Sequence, residues 1–152
     1  MKQLYDQIDE NGIVVIQGMI LVPGLTLPTG HEWVIHTEPI ESIKEARRGY
    51  IEDKRNSACF SPVNYNGYTW QADIRSQSLL TSAITMVSLG VSTVPPTWRT
   101  LDNQDISVTI DYLKGIAGAI AQETLDAYTK SWLLKSLVDS ATTSNEVRSI
   151  YW

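Results

Sequence analysis

Two short aromatic segments, each leading into a long run of helical periodicity, constrain the fold of this chain most strongly. The first, Tyr68–Trp70, follows Asn66-Gly67, and an Asn-Gly pair between two β-rich runs is the strongest short-range signal for a β-hairpin. The second begins at Trp98 and leads to Leu101–Gln104, which contains Asp102-Asn103, and a second hairpin turn is expected there. Because each hairpin precedes a helical pattern, the sequence predicts an α+β fold.

The helices that follow the hairpins carry their own start signals. Asp73 can cap a helix over 74–89, and Thr109 can cap a longer helix over 110–138, because both side chains accept hydrogen bonds from free backbone N–H groups. Thr143 and Glu146 form a capping-box pattern that predicts a short C-terminal helix. The apolar stripe expected along the longest helix consists of Leu113, Ile116, Ile120, Thr124 or Leu125, Tyr128, Trp132 and Leu137.

The first 38 residues differ in character and are predicted to form a small β module. Asp9–Gly12 is a turn signal between two runs rich in β-formers, and Glu32–His36 is a third strand candidate. Pro39 suits the first turn of a charged helix that is solvated on most of its surface. The predicted organisation is an N-terminal β docking module over 1–38, a connecting helix over 39–57 and an α+β domain over 58–152. In that domain, two long helices and a short C-terminal helix pack on a small antiparallel sheet of two hairpins.

Composition excludes several classes of function. A net charge of -5 argues against a nucleic-acid partner, since phosphates would repel the chain. A single cysteine excludes an internal disulfide. The most apolar early run, Ile13–Val22, is too short to span a bilayer, and the N-terminus lacks the apolar core of a secretion signal. We therefore expect neither a membrane association nor export.

One group of side chains could in principle bind a metal, namely His31, Glu32, His36 and Glu38. On a strand, positions 32, 36 and 38 share one face and 31 lies on the other, and this spacing matches no common ligand pattern. Surface polar residues are the favoured interpretation, so no metal and no cofactor are predicted. Cys59 has no histidine within local reach and is interpreted as a small apolar residue.

No pattern in the chain indicates catalysis. Asp73 is best explained as a helix cap and Asp102-Asn103 as a turn. The sequence contains no glycine-rich phosphate loop, nucleophile elbow or paired-carboxylate motif. We therefore predict no catalytic residues, no small-molecule substrate and no enzymatic activity.

The tryptophans and the apolar N-terminal run indicate where another chain could bind. Trp70, Trp98 and Trp132 lie among periodic apolar residues and are expected in the core, whereas Trp33 and Trp152 are freer to make contacts. The β module carries more apolar side chains than it can bury, namely Val14, Val15, Ile16, Ile20, Leu21, Val22, Leu25 and Leu27. The predicted partner-binding residues are Val14, Ile16, Ile20, Leu21, Val22, Trp33 and Trp152.

An ordered series of segments over about two thirds of the chain carries a family resemblance. It consists of Lys54-Arg55-Asn56, Tyr68–Asp73 with Ser76, Trp98–Asn103, Val108–Ile110, Ala141-Thr142, Glu146-Val147 and Ile150–Trp152. With this series the stretch from Arg47 to Trp152 resembles an uncharacterised domain that is common in tail proteins of tailed bacteriophages. Many of those proteins are described as tail fibre assembly proteins.

The resemblance implies a non-enzymatic structural component of the virion tail, associated with a fibre or the tail tip and made in the cytoplasm of a bacterial host. Its partners would be other phage tail or fibre proteins, with multiple copies in the assembly. The alternative is an assembly chaperone that binds the fibre transiently. A small tail-associated enzyme is disfavoured, since the chain offers no catalytic constellation.

Overall fold

Short antiparallel strands alternate with helices along the chain, and this confirms the predicted α+β fold class. A computed structural model describes residues 4–21, 26–35 and 37–152. The elements are β1 (Tyr5–Ile8), β2 (Val14–Met19), β3 (Glu32–Ile35), α1 (Ile40–Ala58), β4 (Val63–Tyr65), β5 (Tyr68–Trp70), α2 (Ile74–Ser88), β6 (Thr97–Arg99), β7 (Asp105–Ser107), α3 (Ile110–Ser140) and α4 (Ser144–Ser149).

The chain divides into two compact units, Met1–Ser42 and Ile43–Trp152. The first unit holds a three-stranded sheet in the order β2-β1-β3, and the second holds the separate hairpins β4-β5 and β6-β7. Most of α1 therefore belongs to the C-terminal unit. The three-part division at 38 and 57 stays a prediction.

The helix caps are those expected from the sequence. Asp73 Oδ1 accepts hydrogen bonds from the backbone N–H groups of Arg75 and Ser76, at 2.9 and 3.1 Å. Thr109 Oγ1 accepts one from Tyr112 N at 3.2 Å. Thr143 and Glu146 make both bonds of the capping box. These polar side chains fix where the helices begin because they satisfy donors that the helix itself leaves free.

Both predicted hairpins are present. Asn66 and Gly67 have φ values of 51° and 83°, the positive pair that a two-residue type I′ turn requires. In the loop between β6 and β7, the buried Thr100 hydroxyl bonds to Asp102 and accepts from Gln104 N. The sequence therefore identified these turns by chemistry that acts over a few residues.

The core of the C-terminal unit lies between the β4-β5 hairpin, α2 and the first half of α3. Its buried members are Val63, Trp70, Ala72, Leu80, Leu113, Ile116 and Ile120. Trp70 is 1% exposed, and its indole Nε1 donates to Tyr65 O at 3.1 Å. Trp98 is half-buried against this cluster. The core assignment is therefore confirmed for Trp70, whereas Trp98 packs against the edge of the core.

The second half of α3 corrects the expected stripe. Trp132 is 59% exposed, so its assignment to the core is wrong, and Leu125, Tyr128 and Leu137 are exposed as well. The buried positions that continue from Ile120 are instead Ala127, Ser131 and Val138. They continue the helical repeat from Ile120, whereas the larger apolar residues lie on another side of the helix.

Contacts with helix α1 determine which side of the second half of α3 is covered. Lys44 Nζ donates to Asp139 O at 3.0 Å, and Arg48 pairs with the Asp139 carboxylate at 2.7 Å. Further along α1, Glu52 pairs with Lys135. These contacts fix α1 along the last turns of α3, so the location of α1, rather than residue hydrophobicity, selects the buried face.

Within the described ranges, none of the helices combines the length and apolar character needed to cross a bilayer.

Candidate docking surfaces

The N-terminal sheet has β1 at its centre and two edge strands. Strand β1 pairs with β3 in a regular antiparallel register from Tyr5 opposite Ile35 to Ile8 opposite Glu32. Its pairing with β2 contains two register shifts. Residues directly opposite each other share one face of a sheet. Ile16 and Trp33 therefore lie on the same face, since both stand opposite Gln7.

The sheet has almost no apolar interior. Among the described residues of this unit, the buried ones are Asp6 and Gln7, both polar. Six large aliphatic side chains are 42% to 61% exposed, namely Ile13, Val14, Val15, Ile16, Ile20 and Ile35. An antiparallel sheet normally hides such side chains on at least one face, so these side chains are candidates for further contacts.

The two buried polar residues organise the sheet internally. Asp6 Oδ1 accepts a 2.7 Å hydrogen bond from Gly18 N, where Gly18 has a φ of 65° within the irregular part of β2. Gln7 Nε2 lies 2.9 Å from His31 Nδ1. A bulged strand twists away from further pairing, so the regular outer edge of β3 is the better template for an added strand.

The structure brings together some of the predicted partner-binding residues and separates others. Val14 and Ile16 lie on β2 and Trp33 on β3, while Ile20 directly follows β2 and is exposed. Leu21 is half-buried, and Val22 lies outside the described residues. Trp152 belongs to the C-terminal unit, where Lys130 Nζ lies 4.7 Å from its ring centre. Their role in partner binding stays a prediction.

The polar candidates have local structural roles where they are described. His31 bonds to Gln7, Glu32 and Glu38 are exposed, and His36 lies outside the described residues. Cys59 is half-buried, and its carbonyl accepts from Gln77 Nε2 at 3.0 Å. In the described part of the chain, His, Cys, Asp and Glu side chains form no group of three suited to a metal ion.

Several carboxylates have lowered pKa values, each through a structural contact. The Ser76 hydroxyl and N–H lower the pKa of Asp73. Bonds from Arg99 lower the pKa of Asp105, and the backbone N–H groups of Thr142 and Thr143 lower that of Glu146. Each of these carboxylates is held in its charged form at a cap or an ion pair. These contacts stabilise the fold.

A second exposed apolar surface lies on α3, and it includes Tyr128, Trp132 and Leu137 of the predicted buried stripe. This surface consists of Leu125, Tyr128, Trp132, Leu133 and Leu137, which are 37% to 62% exposed. It spreads over about half of the helix circumference, since Tyr128 and Leu137 are nine residues apart on α3. The rings of Tyr128 and Trp132 lie 5.9 Å apart, and Arg55 Cζ lies 4.8 Å from the Tyr128 ring centre. Strict continuation of the helical repeat from Ile120 would have identified it.

A third apolar feature is an open groove of about 650 Å3 beside α2. Its walls include Leu79, Ala83 and Met86 from the helix, with Pro95 and Trp98 from the segment before and within β6. The polar residues that line the groove are Ser82, Ser92 and Thr93. The groove therefore offers apolar contact and little to orient a polar ligand.

Comparison with known proteins places most of the chain in one family. The model of a domain of unknown function (DUF4376) matches residues 42–150, which include nearly all of the C-terminal unit. The chain therefore belongs to this family. Searches among curated proteins and among solved structures found no match.

Proposed function

We propose that this member of the DUF4376 family is a non-enzymatic structural component of a tailed-phage tail that docks onto another tail or fibre protein through its N-terminal sheet. The observation that carries the proposal is that the N-terminal unit buries Asp6 and Gln7 while six of its large aliphatic side chains are 42% to 61% exposed. The resemblance of residues 47–152 to a domain of phage tail proteins, noted from the sequence, supports the choice of partner.

The exposed aliphatic side chains of this sheet can supply part of the free energy that docking requires. Complete burial of a Val or Ile side chain gains about 1.5–3 kcal/mol, so covering the six exposed aliphatic residues, each near half exposed, gains roughly 5–9 kcal/mol. Association costs about 4–15 kcal/mol in lost freedom of motion. The aliphatic contacts alone are therefore too weak for a tight complex, and a further contribution is required.

The outer edge of β3 can supply that contribution. Its register with β1 is regular over all four residues, so its outward N–H and C=O groups are spaced for pairing with an added strand. Strand addition provides backbone hydrogen bonds, while Ile35 and Trp33 provide side-chain contacts beside the new strand. The docking element we propose is therefore the β3 edge together with the apolar side chains of β2 and β3.

Mass spectrometry of purified virions, from the phage that encodes the chain, tests this function. A structural component is expected at a fixed copy number relative to the major tail proteins, and it should remain after washing in high salt. If the protein binds fibre protein in the lysate yet is missing from virions, it acts as a transient assembly chaperone. Absence from both fractions would refute the phage-tail proposal altogether.

A further inference from the structure

We propose that the segment docked on the β3 edge is a basic strand of the partner protein, with apolar residues at alternate positions and a lysine or arginine opposite Glu32. This inference rests on the proposed function and deepens it, because it names the chemistry of the partner at the same docking element. Two observations carry it, namely the distribution of charge along the chain and the order of the side chains in β3.

The first observation is that the net charge of the chain lies in its N-terminal unit. Residues 1–42 contain six acidic residues and one lysine, whereas residues 43–152 contain eleven acidic and eleven basic residues. The first unit therefore accounts for the whole net charge of -5. A surface of one sign attracts a partner of the opposite sign and raises the rate of encounter. The partner region that fits this unit is therefore basic.

The second observation is the order of the side chains along β3. Trp33 and Ile35 lie on one face of the sheet, and Glu32 and Val34 lie on the other, since side chains alternate along a strand. Ile35 is 61% exposed, and Glu32 is exposed as well. No salt bridge among the described residues involves Glu32. The outer edge of β3 therefore presents apolar side chains on one face and an acidic side chain on the other.

An added strand places one residue directly opposite each residue of β3. Apolar residues are expected opposite Trp33 and Ile35, because a charged group there would lose water without gaining a partner. A lysine or arginine is expected opposite Glu32, since opposite charges attract across a strand pair and like charges repel. The partner strand therefore has two apolar residues separated by one position, with a basic residue directly next to the one that faces Trp33.

A second copy of the chain does not meet this description. The strands β1, β2 and β3 contain no lysine or arginine, and two acidic N-terminal units repel each other. The C-terminal unit of a second copy has no net charge to offset this repulsion. The occupant we assign to the β3 edge is therefore a strand of a different protein.

Photo-crosslinking in infected cells tests the chemistry of the partner strand. The probe is the full chain with a benzophenone amino acid in place of Thr37, which is exposed and lies two residues beyond the end of β3. Mass spectrometry of the cross-linked peptide is expected to show a tail or fibre segment with the predicted order of apolar and basic residues. A tail or fibre segment without the lysine or arginine would overturn this inference while the proposed function holds, and so would cross-links to another copy of the chain. Cross-linking to no tail or fibre protein would refute the proposed function itself.

Charge reversal tests the contact at Glu32. Glu32→Lys should be depleted severalfold from virions, whereas the matched control Glu123→Lys, at an exposed carboxylate on α3 in the other unit, should be incorporated like wild type. Both variants should melt like wild type, because both side chains are exposed. A glutamate in place of the basic residue in the cross-linked partner segment should restore incorporation of Glu32→Lys. Equal incorporation of the two variants, or no recovery in the exchanged pair, would overturn the inference.

Discussion

Gly115, in the first half of α3, provides a sharp test of the packing between α3 and the β4-β5 hairpin. A Cβ added at this position would overlap the hydroxyl and ring of Tyr65. The Tyr65 ring cannot move away without cost, because it packs edge-on against Tyr112 with ring centres 5.4 Å apart. The substitution Gly115→Ala therefore sets helix propensity against a steric overlap.

The steric cost of the overlap is expected to exceed the gain in helix propensity. Alanine in a helix interior is favoured over glycine by about 0.5–1 kcal/mol. Overpacking a well-filled site costs about 1–3 kcal/mol, and a displaced aromatic pair loses a further 0.5–1.5 kcal/mol or so. Gly115→Ala should thus lower the free energy of unfolding by roughly 1–3 kcal/mol.

Denaturant unfolding followed by tryptophan fluorescence measures this change. The matched control is Gly49→Ala in α1, where a Cβ would meet open space, and it should raise stability by about 0.5–1 kcal/mol. Adding Tyr65→Phe to Gly115→Ala should recover part of the loss, since it removes the closest atom. Equal stabilisation by Gly115→Ala and Gly49→Ala would refute the described approach of Tyr65 to α3.

Three further predictions concern stability. Ser131→Ala should stabilise the chain by about 1 kcal/mol in the same unfolding assay, because the buried Ser131 hydroxyl has no hydrogen-bond partner among the described residues. Trp70→Ala should lower the free energy of unfolding by about 3–5 kcal/mol and Trp132→Ala by far less, since Trp70 is in the core and Trp132 is exposed. Comparable losses of stability in the two variants would contradict the assignment of Trp70 to the core and Trp132 to the surface. The pKa values of Asp73 and Glu146 lie below their ordinary values of 3.8 and 4.5. The two carboxylates therefore contribute to the free energy of unfolding above those pH values, and this contribution is lost as the pH falls through the folded-state pKa. Thermal melting should therefore shift downward below about pH 4.5, and a melting temperature unchanged down to pH 3 would contradict these contacts.

Features controlled by local chemistry could be predicted from the sequence. Asn66-Gly67, Asp73, Thr109 and the capping box of α4 each act on backbone groups a few residues away. Their effect does not depend on how the rest of the chain packs. For this reason the hairpin turns and helix starts appear where the sequence indicated.

Features that depend on distant partners were predicted less well. The buried side of the second half of α3 is set by contacts of α1 with Lys135 and Asp139, more than 80 residues away in sequence. The sequence reasoning followed the largest apolar side chains and so placed Trp132 in the core. The bulges of β2 were likewise missed, although Gly18 within the apolar run was a signal for them.

The candidate docking surface was predicted from the excess of apolar residues in the first part of the chain. The exposure of Val14, Ile16 and Ile20 agrees with that reasoning, whereas their contact with a partner stays a prediction. Trp152 was grouped with them because it lies outside the periodic apolar residues, and it belongs to the other compact unit.

The central claim is that the N-terminal sheet docks the protein, and incorporation of a β3 variant into virions tests it most directly. Ile35→Lys places a charge beside the proposed docking edge, at a side chain that is already 61% exposed in the free chain. Ile74→Lys is the matched control, with 67% exposure at the start of α2. Both variants should fold and melt like wild type, and quantitative mass spectrometry should find Ile35→Lys depleted from virions while Ile74→Lys is retained at the wild-type level. Equal incorporation of the two variants would contradict docking through the N-terminal sheet.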